Sequence, residues 1–206
     1  MSVAEAFEGP GVRGYLHRPT TGEAAQALVM THGAGSNAKA PMLVTIAEAL
    51  SARGWLVLRC DLPYRQKRPG GPPRPAEAAG DRQGLREAIA LVRPMLKPGR
   101  RVVLGGHSYG GRQASMLLAE EPQVADALLL CSYPLHPPGR PDQLRTQHLG
   151  KIAVPVLFVH GTKDPFGSPE EMRTAAKLVK QARIHFIEGA GHDLNKGKDL
   201  RFLDEL

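Results

Sequence analysis

The sequence is poor in cysteine, in aromatic residues and in long apolar runs, and each shortage narrows what the chain can be. Cys60 and Cys131 are the only two cysteines in 206 residues. That is too few for a disulfide-stapled scaffold, and because each closes a different strand-like run they are taken as separate reduced thiols. No stretch approaches the roughly 18 apolar residues of a membrane helix, so no membrane span is expected. Aromatic residues make up 5% of the chain, and none interrupts the densest positive run, Arg65 to Arg74 (RQKRPGGPPR). Despite a net charge of +7, that run therefore reads as a solvated Pro/Gly-rich loop, and no nucleic-acid partner is expected. The eight histidines show no metal-ligand spacing, so no metal is expected and His136 and His148 are taken as surface residues. Met1 to Pro10 carries Glu5 and Glu8 where a leader would have basic and apolar regions, so no secretory signal is expected and the cytoplasm is the default location. The final Leu203-Asp204-Glu205-Leu206 reads as a helix end.

What is present is an alternation of short apolar runs with helical periodicities, over a length suited to one buried core, so residues 1–206 are expected to form a single domain. The strand-like runs are Ala27 to Thr31, Trp55 to Cys60, Arg101 to Gly105, Ala127 to Cys131, Val154 to His160 and Arg183 to Ile187. Several are almost wholly apolar, as strands buried on both faces of a parallel sheet must be. A weaker pair, Ala4 to Glu8 and Val12 to His17, suits an N-terminal hairpin. Leu43, Ile46, Ala47 and Leu50 recur at helical spacing, with Pro41 in the first turn and Gly54 at the C-terminal cap. Leu85, Ala88, Ile89, Val92 and Leu96 repeat the pattern until Pro94 ends or kinks it. Met172, Ala175, Ala176 and Val179 form a third stripe, opened by the capping box Ser168-Pro169-Glu170-Glu171.

The chemistry starts at Gly106-His107-Ser108-Tyr109-Gly110, a G-x-S-x-G sequence set between the strand RVVLG and the helical stretch RQASMLLAEE. A sharp strand-to-helix turn exposes the serine hydroxyl, and the glycines on either side let strand and helix pass closely. A serine hydroxyl is a weak nucleophile at neutral pH, so a base and an orienting carboxylate must follow in the chain. Asp164 lies in the loop after VPVLFVH, and His192 in the loop after RIHFI, both at the edge where open sheets of this class keep their sites. Asp193 adjoins His192, but neighbouring side chains of extended backbone point apart, so Asp164 is preferred. Asp126 begins a strand, which puts it at the opposite edge as a solvated carboxylate. The small residues of Thr31-His32-Gly33-Ala34-Gly35 follow a strand where backbone can approach substrate. The backbone N–H groups of Ala34 and Tyr109 are therefore the expected oxyanion donors.

Taken together, THGAG, GHSYGG, GTKDPFG and GAGHD resemble the oxyanion loop, nucleophile elbow, acid loop and histidine loop of the α/β-hydrolase superfamily, over about residue 12 to the end. Size and short insertions look most similar to the dienelactone hydrolase-like branch and its small serine hydrolases; dienelactone hydrolases use a cysteine nucleophile where this chain has Ser108. The resemblance implies an α/β-hydrolase fold: a mostly parallel central sheet flanked by helices on both faces. It also implies hydrolysis of a small-molecule carboxylic ester or thioester through an acyl-enzyme, with no cofactor. The segment Ser132 to Lys151, where the fold inserts a lid, is short and proline-rich, so a minimal lid and an open cleft are expected. The basic loop after Cys60 would reach the site edge and favour anionic acyl substrates. Two other classes fit parts of the sequence. Gly33-Ala34-Gly35-Ser36-Asn37-Ala38 matches a G-x-G-x-x-A dinucleotide turn, with Asp61 ending the next strand, as a nicotinamide-dependent oxidoreductase would have it. A hydrolase fold kept for protein interaction is the other.

Overall fold

A computed structural model describes residues 4–20 and 22–206 and joins eight strands into one sheet in the order β1-β2-β4-β3-β5-β6-β7-β8. The strands are β1 (Ala4–Gly9), β2 (Val12–His17), β3 (Gln26–Thr31), β4 (Trp55–Asp61), β5 (Val102–His107), β6 (Ala127–Cys131), β7 (Val156–Gly161) and β8 (Ala182–Ile187). The β1–β2 hairpin and the β2–β4 pair are antiparallel, and every other pairing is parallel. The leader-free reading of Met1 to Pro10 rests partly on Met1, Ser2 and Val3, which lie outside the described residues.

Side-chain alternation divides the interior into two layers. Val29, Leu104, Leu130 and Phe158 face one side with α3 (Ala78–Val92), α4 (Tyr109–Glu120) and α5 (Pro169–Ala176). Leu28, Val103, Leu129 and Val159 face the other with α1 (Pro41–Ala52) and the short 3-10 turn Arg201–Glu205, which buries Phe202 and Leu203. The apolar runs lack polar alternation because both faces are covered. On α1, Leu43, Ile46 and Leu50 are fully buried, each contributing about 1.5–3 kcal/mol; Gly54, at φ +86°, lets the chain turn back into β4. Pro94 falls in a 3-10 turn directly after α3. The third stripe is interrupted earlier than its spacing implies, since α5 ends at Ala176 and Val179 is buried in the following turn.

Several expectations need correction. Arg65 to Arg74 is not uniformly a solvated loop, because Pro63 starts a short helix, α2 (Pro63–Lys67), on which Arg65 is buried. Its guanidinium donates to the carbonyls of Ser36 (2.7 Å), Ala34 (3.0 Å) and Gly71 (2.9 Å), which replaces hydration. His136 is no surface histidine: its Nδ1–H donates to Pro137 O at 2.8 Å and Nε2 faces Glu171 at 3.5 Å. His148 is half-buried with Nε2 2.7 Å from Ser115 Oγ, and burial followed by the Arg112 and Arg82 charges pushes its pKa down to about 4. Asp126 does sit at the opposite edge, but it is tied down, accepting from Val102 N–H at 2.7 Å and from Arg93 at 3.3 Å. Cys60 and Cys131 are separate, buried thiols on β4 and β6. Among the described residues no helix is long and apolar enough to cross a membrane.

Candidate active site

Chain order reverses across β3, which has β4 on one side and β5 on the other, opening a crevice at the C-terminal edge where both strands end. Thr31 at the end of β3 pairs with Gly106 on β5, so the turn from His32 onward lies against the elbow. A Cβ on Gly33 would stand 2.9 Å from His107 Nδ1 and 3.3 Å from Ser108 Cβ.

Ser108 occupies the sharp turn between β5 and α4 with φ 51° and ψ −117°, a conformation costing a non-glycine residue about 1–3 kcal/mol. Its backbone N–H donates to Cys131 O at 2.9 Å, which fixes the turn against β6. The flanking glycines are required by contact: a Cβ on Gly106 would lie 2.4 Å from Gly111 N, and one on Gly110 2.5 Å from His32 O.

The acid and histidine loops are bonded to each other before they reach the serine. Lys163 N–H donates to Ala190 O at 2.9 Å, Thr162 N–H to Ile187 O at 3.1 Å, and Gly189 N–H to Thr162 Oγ1 at 2.8 Å. A Cβ on Gly161 would come within 2.3 Å of Ala190 O, so the two backbones touch there. Asp164, with a fully buried side chain, accepts from His192 Nδ1–H at 2.8 Å and 3.0 Å and from Phe166 N–H at 2.9 Å. Burial pushes the Asp164 carboxyl up, but the His192 hydrogen bond and charge outweigh it and leave the pKa below the usual carboxylate value. With Nδ1 protonated against the carboxylate, His192 turns the lone pair of Nε2 toward Ser108 Oγ, 2.8 Å away.

Further contacts hold His192 and its acid. Phe166 stacks on it, with centroids 4.2 Å apart and planes 31° from parallel. His107 Nε2–H donates to the His192 carbonyl at 2.7 Å, and burial pushes the His107 pKa down to about 4, keeping its ring neutral at pH 7. His160 lies 3.8 Å from Asp164 Oδ2 and gives its own Nε2–H to Gly167 O at 2.8 Å. Asp193 points elsewhere, accepting from Asn195 N–H at 3.0 Å.

The backbone N–H groups of Ala34 and Tyr109 make no hydrogen bond among the described residues, and both residues line a groove with Ser108. Their directions are fixed from behind. Gly33 O, on the same peptide as the Ala34 N–H, accepts from Ser36 N–H at 3.0 Å and from His32 Nδ1–H at 2.9 Å. Ala34 O accepts from Tyr64 Oη at 2.8 Å and from Arg65. Asp81 on α3 then joins the two sides, accepting Tyr64 N–H at 3.1 Å and Tyr109 Oη–H at 2.8 Å. Tyr64 and Tyr109 pack edge to face at 5.9 Å.

Tyr64, Asp81, His32 and His107 were not singled out by their sequence context, and Arg65 only as part of a basic loop. Asp81 alone left a signal, since it stands four residues before Leu85 and seven before Ala88, on the apolar stripe of its helix.

The GAGSNA turn is not arranged for a dinucleotide. Helix α1 begins at Pro41, three residues beyond Ala38, and Asp61 is occupied by Ala38 N–H at 2.7 Å and Arg13 at 3.4 Å. Among the described residues no group of three or more His, Cys, Asp or Glu is placed to hold a metal. The Ser132 to Lys151 segment contains no α-helix, and beneath it an open-mouthed groove of about 580 Å³ runs past Ser108.

A family model described as an alpha/beta hydrolase domain matches residues 24–202. The quorum-quenching protein AidA of Acinetobacter baumannii (strain MDR-ZJ06) is 31% identical over 120 residues, 58% of this chain and 39% of that protein, so the chain spans well under half of that relative. An alpha-beta serine hydrolase homologue from Coxiella burnetii superposes with TM-score 0.69 at 20% identity, covering 96% of this chain and 92% of the other. A dienelactone hydrolase from Anabaena variabilis ATCC 29413 does so with TM-score 0.68 at 23% identity, covering 93% and 87%. At these identities the likeness is one of fold.

Proposed function

The chain belongs to the alpha/beta hydrolase family, and from that membership we propose that it is a serine hydrolase cleaving a carboxylic ester or thioester. The observation that carries this is the hydrogen-bonded sequence Ser108 Oγ, His192 Nε2, His192 Nδ1, Asp164 Oδ2, with 2.8 Å at each end. Its members come from three separate loops.

In the proposed reaction His192 Nε2 takes the Ser108 proton as Oγ attacks the acyl carbon. The carbonyl oxygen becomes an oxyanion facing the N–H groups of Ala34 and Tyr109, and Asp164 stabilises the imidazolium and holds its tautomer. Collapse expels the alcohol or thiol, which leaves with the proton from His192. Water, deprotonated by the same Nε2, then attacks the acyl-serine and releases the acid. No metal or cofactor takes part in these steps. Residues 1–206 would act as one hydrolase domain on a small acyl substrate.

Replacing Ser108 with alanine removes the nucleophile and keeps the Cβ that the φ 51° turn already accommodates, so the variant should fold and melt close to the wild type. Its ester turnover should fall by at least about 10³-fold, and labelling by a fluorophosphonate should disappear with it. Wild-type turnover in the alanine variant would refute the assignment. A wild-type protein that neither labels nor hydrolyses any ester in a broad panel would favour a non-catalytic interaction role.

A further inference from the structure

The groove beside Ser108 carries Arg112, Arg145 and Arg74 on its walls, and among the described residues no carboxylate lines it. Elsewhere the arginines of this face are answered: Arg82 pairs with Glu120 at 2.9 Å, Arg86 with Glu121, and Arg93 with Asp126 at 3.3 Å. Arg112 is not. Its guanidinium has no ion pair or hydrogen bond among the described residues, and its Nε is buried without an acceptor. The Arg145 guanidinium makes one long hydrogen bond among the described residues, to Pro134 O at 3.3 Å. Burial and the adjacent Arg112 charge hold the Arg145 pKa below the ordinary guanidinium value. Gln113, also on the groove, has its oxygen taken by Arg82 at 3.2 Å, while its buried Nε2 finds no acceptor.

Two neighbouring cations without a counterion, beside a further unanswered donor, form a surface that is unfavourable until something supplies negative oxygen. We propose that Arg112 and Arg145 form an anion subsite that binds a carboxylate carried on the acyl part of the substrate. This rests on the serine hydrolase reading above. Arg112 lies one helical turn beyond Ser108, its N–H bonded to Ser108 O at 2.9 Å, which puts the two backbones about 6 Å apart along the axis. Ser108, Arg112 and Arg145 line one groove, so a carboxylate held there sits on the same small acyl group as the scissile carbonyl, for which glutaryl is the probe. The expected anionic preference moves accordingly. It comes from α4 and the segment after β6, with Arg74 at the rim, and not from Arg65, whose charge is spent on internal carbonyls.

The test compares two p-nitrophenyl esters of equal acyl length, the hemiglutarate and the neutral pentanoate. For the wild type, kcat/KM should favour the hemiglutarate by about tenfold or more, as charge-assisted hydrogen bonds do, and high salt should shrink the preference. Arg112→Gln and Arg145→Gln, each checked for folding by circular dichroism, should each cut that ratio by about tenfold, with Arg112→Lys retaining part of it. Equal kcat/KM for the two esters, or a ratio untouched in either folded variant, overturns the subsite. If the wild type cleaves neither ester, fluorophosphonate labelling and the broad ester panel decide the hydrolase reading, and binding decides the subsite. Monomethyl glutarate raising the melting temperature of the wild type but not of Arg112→Gln supports it, and no rise in the wild type overturns it.

Discussion

Replacing Asp81 with alanine removes one acceptor shared by two donors, and the structure fixes what that should do. Tyr64 N–H, in the first turn of α2, and the Tyr109 hydroxyl both end on this carboxylate, at 3.1 Å and 2.8 Å. Each donor left without a partner costs about 1–3 kcal/mol, or about 2–6 kcal/mol for the pair. Part of this is returned, because burial raises the Asp81 pKa above its ordinary value, so the ionised carboxylate is itself unfavourable in the fold. A net loss on the order of 2–4 kcal/mol follows for Asp81→Ala. Asp81→Asn keeps an acceptor for Tyr64 N–H and removes the charge, so it should stay within about 1 kcal/mol of wild type. A native pKa raised above the unfolded value means that the Asp81 contribution is fullest below the unfolded pKa and is lost as pH rises through the folded one, so Asp81→Asn should gain on the wild type with rising pH. The alanine change should also loosen both proposed oxyanion donors, lowering kcat by about tenfold or more with a smaller effect on KM. Urea denaturation from the ordinary carboxylate pKa up to neutral pH, with kcat measured on one ester, reads all of this. An alanine variant as stable and as active as wild type, or an asparagine variant as damaged as the alanine one, would refute the reasoning.

Two further outcomes follow from packing and burial. Gly106→Ala should lower the melting temperature and abolish most turnover, because its Cβ would stand 2.4 Å from Gly111 N and 2.5 Å from Gly110 C, backbone atoms that move only with α4; the expected cost is about 1–3 kcal/mol or more. Gly80→Ala, with open space around its Cβ on α3, should instead stabilise by about 0.5–1 kcal/mol, and equal effects at the two glycines would contradict the packing. Fully buried His17, which accepts from Arg59 at 2.9 Å, has its pKa pushed down to about 4 by burial and by the Arg59 charge. His107 is likewise held at about 4, chiefly by burial. The unfolded chain takes up these protons first, so stability is full above the ordinary histidine value and falls as pH drops toward the folded pKa, by up to roughly 3 kcal/mol for His17. A urea midpoint unchanged between about pH 7 and pH 4.5 would contradict this.

The strands were legible because both faces of the sheet are covered, which turns each into a continuous apolar run, and their ends shifted by only a residue or two. The N-terminal half of α3 was not legible. Its buried members before Leu85 are Asp81 and Gly84, neither of which adds to an apolar periodicity. Helix α2 was hidden for a related reason, since a five-residue segment with two basic side chains shows no repeat. Ser108, Asp164 and His192 could be placed because each follows a strand at the same edge. The support behind them depends on side chains that meet across long stretches of chain, as Asp81 meets Tyr64 across 17 residues and Tyr64 meets Ala34 across 30. No local pattern records such a meeting.

The first part of the turn after β3 is gripped mainly by its oxygens. With the carbonyls of Gly33, Ala34 and Ser36 tethered inward to His32, Tyr64 and Arg65, the Ala34 peptide, whose residue lines the groove with Ser108, has its polarity set before any ligand arrives. The side chains that set this polarity are not those at the mouth, where Pro72, Arg74 and Pro134 stand. Mouth residues can therefore be exchanged to admit a different acyl group while the electrical character of the turn stays as it is.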